Sequence, residues 1–96
     1  MKVTLVVHGV VQGVGYRNLV RGAAMKHKVR GFVRNVRDGS VEIVAVGEED
    51  SLRTFEEEIK VSDRYGPQVM HVERVDQGPG SDSEYEDFRI EHDKKI

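Results

Sequence analysis

An α+β sandwich of β-α-β-β-α-β order, with a short extra strand at its C-terminal end, is the fold class that the sequence predicts. Apolar runs of period two alternate with runs of helical period, and glycine, proline and aspartate mark the joins. The length agrees: 96 residues make one domain, 1–96, with a single core. No linker, internal repeat or low-complexity tract divides it.

Lys2 to His8 is β-branched, with Val3, Leu5 and Val7 on one face, and reads as a central strand. Gly9 to Gly15 is a glycine-rich loop. Beyond it Tyr16, Leu19, Val20, Ala23, Ala24 and His27 recur at helical spacing, which predicts a helix from about Tyr16 to Lys28. Val29 to Val36 is a second strand, and Arg37-Asp38-Gly39 is a tight-turn signal that pairs it with Ser40 to Val46. Asp50 or Ser51 is the expected cap of a second helix, whose narrow apolar stripe is Leu52, Phe55 and Ile59. The run Glu56-Glu57-Glu58 is read as its solvated face. Gly66-Pro67 breaks the chain before a strand from Val69 to Asp76, and Gln77 to Ser83 is a loop by composition. Glu84 to Ile90 is expected as the short fifth strand and Glu91 to Ile96 as a charged tail. Right-handed crossovers with both helices on one face give a ferredoxin-like sandwich with an antiparallel sheet.

Composition removes several classes of function. A net charge of −2 gives no basic field to recruit nucleic acid. There are no cysteines, hence no disulfide, zinc–thiolate site, iron–sulfur cluster or thiol nucleophile, which fits a cytoplasmic protein. No apolar stretch approaches the roughly 18–20 residues that span a bilayer, and Met1 to Thr4 lead into a strand pattern rather than a signal peptide. The four histidines, His8, His27, His71 and His92, are dispersed without metal-ligand spacing. An RNA-recognition domain of this topology needs aromatics on the central strands for stacking, and neither Lys2–His8 nor Ser40–Val46 carries one.

The most informative stretch is Gly9-Val-Val-Gln-Gly-Val-Gly-Tyr16, which ends on Arg17. Glycines let successive backbone N–H groups turn inward around an anion, and a helix N-terminus adds unpaired donors and a positive dipole end. Arg17 is unfavourable there unless an anion is bound, and a guanidinium fork matches phosphate oxygens. Val11 stands where the spacing Val11 to Arg17 places the thiolate of a cysteine-dependent phosphatase loop, and no Ser or Thr lies within the loop. Water is then the nucleophile and no metal is implied. So spare a site suits a substrate with a good leaving group: a carboxylate leaves without a proton, which points to acyl phosphates. Asn35, an uncharged donor and acceptor near the end of a strand, is the candidate holder of the water. The plainer reading makes Asn35 the opening residue of the adjoining turn.

These residues carry a family resemblance. His8 to Arg17 resembles the acylphosphatase signature, with Gly9, Val11, Gln12, Gly13, Val14 and Arg17 in its characteristic positions. Gly31 to Val41 is similar to a second block of that family, Gly66-Pro67 with Val72 and Val75 to a third, and Phe88 to Ile90 to its closing strand. Nearly the whole chain is covered. The resemblance implies hydrolysis of the carboxyl-phosphate bond, with Arg17 and the loop of Val11, Gln12, Gly13, Val14, Gly15 and Tyr16 binding the phosphoryl group and Asn35 orienting water. It further implies no metal or organic cofactor, a small-molecule acyl phosphate as partner, and a monomer. Tyr16 stands for a frequent Phe, His27-Lys28 for Leu-Gly, Phe32 for Trp and Met70 for Ala. The alternative is a non-catalytic module that binds acyl or carbamoyl phosphate, since domains of this kind also occur within larger carbamoyl-transfer maturation proteins.

Overall fold

A computed structural model describes residues 1–80 and 84–94. The strands are β1 (Lys2–Val10), β2 (Arg30–Asn35), β3 (Val41–Val46), β4 (Gln68–Asp76) and β5 (Phe88–Ile90), and the helices are α1 (Tyr16–Lys26) and α2 (Glu49–Glu58). They form one sheet in the order β4-β1-β3-β2-β5. The first four strands make the expected antiparallel sheet. The fifth joins the free edge of β2 and runs parallel to it, so the whole sheet is mixed.

Period-two burial places Val3, Leu5 and Val7 of β1 under the helices, with Val33 of β2 and Val41, Ile43 and Ala45 of β3 beside them. The helices close this layer with Tyr16, Val20, Ala23 and Ala24 from α1 and Leu52 and Phe55 from α2, all in one cluster. At the end of β1 the register with β4 shifts between His8 and Gly9. Such a bulge bends a strand and re-aims the residues beyond it, and here it delivers the chain into the glycine loop.

α1 ends two residues earlier than its apolar spacing suggests, because Lys28 takes a left-handed backbone with φ 57°. The Val29 N–H donates to the Ala24 carbonyl at 2.8 Å and the Lys28 N–H to that of Met25 at 3.4 Å. This is the paired closure that ordinarily places glycine at the left-handed position. Lysine there carries a Cβ against the following carbonyl. Lys28→Gly is therefore expected to stabilise the fold by about 0.5–1 kcal/mol, read as a raised midpoint in urea with an unchanged slope.

α2 is capped by neither Asp50 nor Ser51. Glu48 is its N-cap and makes no side-chain cap bond. Asp50 lies inside the first turn and pairs with Arg53, where with Glu49 it faces the positive end of the helix dipole. The solvated acidic face reduces to Glu57. Glu56 accepts a hydrogen bond from Arg74 at 2.7 Å, tying α2 to β4. Glu58 accepts from Lys26 at 3.0 Å and is bonded to His27 at 2.8 Å. Those two partners, Lys26 first, hold its carboxyl below the usual carboxylate range.

The C-terminal region departs most from expectation. β5 is three residues long, with the Asp87 carbonyl accepting the Gly31 N–H at 2.9 Å just ahead of it; before that Tyr85 packs edge-on against Phe32, with ring centroids 6.1 Å apart. Residues 91–94 are not a free tail. The Glu91 N–H donates to the Val33 carbonyl at 2.9 Å, the Lys94 N–H to that of Asn35 at 2.7 Å, and Lys94 bridges Val36 in parallel fashion. The unpaired edge of β2 supplies those acceptors, and the backbone takes them whatever its side chains. Residues 81–83 of the expected loop and 95–96 of the expected tail lie outside the described residues.

Candidate active site

The loop between β1 and α1 is held at both ends. Val11 is buried in the core, and Val14 packs against that core from the side. Gly13 and Gly15 take φ of 74° and 78°, and an added Cβ at either meets nothing within 4 Å. Backbone conformation, not space, is what calls for glycine at these two positions. Gly15 caps α1, whose first turn contains no acidic residue and receives no side-chain cap bond. Its carbonyl accepts the Leu19 N–H at 3.2 Å, so helical bonding begins there. The N–H groups of Tyr16, Arg17 and Asn18 precede any intrahelical acceptor, and the macrodipole makes that end positive.

Val11, Gly13, Gly15 and Arg17 line one hollow of about 160 Å³. Gln12, Asn35, Asp93 and Lys94 line a second, of about 310 Å³. The two are joined in a specific way. Gln12 Nε2 donates to the Val36 carbonyl at 2.7 Å and to the Ser40 carbonyl at 2.8 Å. One side chain thus ties the glycine loop to the β2–β3 turn, immediately beyond Asn35. Asp93 lines the second hollow and reaches the arginine of the first, its Oδ1 lying 3.3 Å from Nη1 of Arg17.

Asn35 is 8% exposed, and its Oδ1 is buried with no hydrogen-bond partner among the described residues. An unpaired buried acceptor costs about 1–3 kcal/mol, and the residue that carries it lines the second hollow. The turn does not use that acceptor. There Asp38 Oδ1 accepts both the Ser40 N–H, at 2.9 Å, and the Ser40 hydroxyl, at 2.5 Å. The hydroxyl bond is the main cause holding the Asp38 carboxyl below its ordinary range. The side-chain bonds of the turn are those of Asp38 and Ser40, without Asn35.

A family profile described as Acylphosphatase matches residues 3–90. The chain belongs to the acylphosphatase family. It is 43% identical to an acylphosphatase of Cupriavidus pinatubonensis over 86% of this chain and 87% of that relative. Its fold is similar to the crystal structure of acylphosphatase from Bacillus subtilis, with a TM-score of 0.81 and 34% identity over 93% of this chain and 96% of the other. It is also similar to part of full-length HypF in a phosphate- and nucleotide-bound form, at 28% identity and a TM-score of 0.79, covering 96% of this chain and 12% of that one.

Within this acylphosphatase-family fold the sequence-expected residues divide by what their side chains do. Both side-chain donors of Gln12 are committed to Val36 and Ser40, so toward an anion it has only its backbone N–H to offer. Tyr16 has the same restriction: it is 1% exposed and its hydroxyl donates to the Ile59 carbonyl at 2.8 Å. Burial pushes that phenol well above its ordinary pKa. Phenylalanine at that place has no hydroxyl, and the tyrosine ties α1 to the end of α2. Arg17 sits at the mouth, 38% exposed along its side chain. Asp93 is what sequence reasoning missed, since nothing in a charged C-terminal run says that the run adds to a sheet edge. Among the described residues no group of three or more His, Cys, Asp or Glu is placed to hold a metal ion, and no helix is long and apolar enough to cross a membrane.

Proposed function

We propose that this chain is an acylphosphatase that hydrolyses the carboxyl-phosphate bond of a small acyl phosphate without metal or organic cofactor. The phosphoryl group sits on the loop amides from about Val11 to Tyr16 and on the guanidinium of Arg17. Asn35 Oδ1 accepts a hydrogen bond from a water and holds it for in-line attack at phosphorus. The water oxygen forms a bond to phosphorus while the bond to the acyl oxygen breaks. The carboxylate leaves with the electron pair, and the water's proton passes to a phosphoryl oxygen. Loop dipoles and Arg17 offset the charge on the equatorial oxygens, where fixed donors act most strongly.

The observation that carries this reading is Asn35, which lines a hollow coupled through Gln12 to the anion loop and whose buried Oδ1 has no partner among the described residues. Arg17 and Asn35 belong to one chain, which suits a monomer, and the lack of cysteine suits the cytoplasm. The central strands β1 and β3 carry no Phe, Tyr or Trp, which speaks against a base-stacking nucleic-acid role. The likeness to a segment of the much longer HypF favours, as the second reading, a module that binds an acyl or carbamoyl phosphate without hydrolysing it. Release of inorganic phosphate from benzoyl or acetyl phosphate, measured with excess chelator, separates the two. Full turnover with chelator is expected; tight phosphate binding without turnover would leave the binding module.

A further inference from the structure

Arg17, the proposed phosphoryl ligand, is already engaged in this fold. Its Nη1 lies 3.3 Å from Oδ1 of Asp93, with side-chain exposures of 38% and 61%. Asp93 does not arrive there on a loose end. The N–H groups of Glu91 and Lys94 are bonded to the carbonyls of Val33 and Asn35, so Asp93 is carried on a segment fixed to β2. The same Asp93 lines the hollow that contains Asn35. A carboxylate and a phosphoryl group offer a guanidinium the same kind of oxygen pair. They therefore draw on the same guanidinium, on which Asp93 engages Nη1.

We infer that Asp93 sets the affinity of this site, its carboxylate holding Arg17 in the free protein until the phosphoryl group displaces it. This rests on the phosphoryl-binding reading of Arg17. Two effects act in the same direction. A phosphoryl group that takes Nη1 of Arg17 displaces Asp93, and the freed carboxylate then stands as a like charge beside it. Both raise KM and the inhibition constant of inorganic phosphate; the broken contact is common to bound substrate and transition state, so the effect on kcat is the smaller one. An exposed pair at this distance is weak, which limits the size of the effect. A residue whose only task was to orient Arg17 has the opposite sign, because its loss weakens binding.

The test is Asp93→Asn, which keeps the shape and removes the charge. With benzoyl phosphate as substrate, KM and the inhibition constant of phosphate are expected to fall together, roughly two- to five-fold, with kcat changed less than either. The ratio of variant to wild type approaches one as added salt screens the pair. Asp93→Glu, which restores a carboxylate, is expected to return both constants towards wild type. Unchanged or raised constants in Asp93→Asn, with Arg17→Ala still losing phosphate inhibition, overturn the role of Asp93 alone. Phosphate inhibition that survives in Arg17→Ala overturns the premise as well.

Discussion

Arg17→Ala is expected to abolish detectable turnover and to remove competitive inhibition by inorganic phosphate in the same step. Among the described residues, its guanidinium supplies the one side-chain positive charge on the hollow formed by Val11, Gly13 and Gly15. Hydrogen bonds to a charged partner contribute about 1.5–3 kcal/mol each. A two-pronged contact to phosphate thus accounts for roughly three orders of magnitude in ground-state binding alone. Charge that builds on the phosphoryl oxygens during transfer adds to that loss. Folding should be nearly unaffected. The side chain is part-exposed, its pairing with Asp93 is a surface contact worth about 0–1 kcal/mol, and a cation in the first turn of α1 opposes the dipole by about 0.3–1 kcal/mol. Activity, phosphate inhibition and thermal midpoint measured on one preparation make the separation plain. Inhibition by phosphate at wild-type concentration would remove Arg17 from the site. Arg17→Lys keeps the charge but loses the fork, and is expected to recover binding only in part.

Much of the fold is legible in the sequence, for reasons that differ between elements. β1 announces itself because its face is buried: Val3, Leu5 and Val7 have no other place to go. The β2–β3 hairpin is legible through Asp38 and Gly39, whose turn chemistry is local. The loop is legible because positive φ at Gly13 and Gly15 is written as glycine. The features that stay hidden depend on partners distant in sequence. The β2 edge accepts residues 91–94 through backbone groups that no side-chain pattern encodes. Glu56 and Glu58 look solvated until Arg74, Lys26 and His27 are brought beside them. The site itself is half legible. Spacing names Asn35 and Arg17 but gives no reason for them to meet. Gln12, read only as a loop residue, proves to be the tether through its two bonds to the β2–β3 turn. Its reach of 24 to 28 residues along the chain is why local pattern is silent.

Asn35→Ala completes the partition that Arg17→Ala begins. A group that holds the nucleophile acts only on the reaction, so its loss is expected to lower kcat by about 10²–10³-fold, the size of one positioned polar contact in a transition state. Phosphate inhibition should stay close to wild type, because in the proposed site the anion rests on the loop and Arg17. Stability supplies a second discriminator. A buried, well-bonded asparagine normally costs stability when truncated, whereas Oδ1 of Asn35 is unpartnered among the described residues and its removal relieves about 1–3 kcal/mol of desolvation. Set against the packing lost at a position 8% exposed, the net change is expected near zero or slightly stabilising. Lost turnover with an intact fold is the result expected of a residue kept for function, as proposed for Asn35. Asn35→Ala with wild-type turnover refutes the positioning of water. Asn35→Ala that is strongly destabilised, with kcat falling only as the folded fraction falls, returns Asn35 to a structural part.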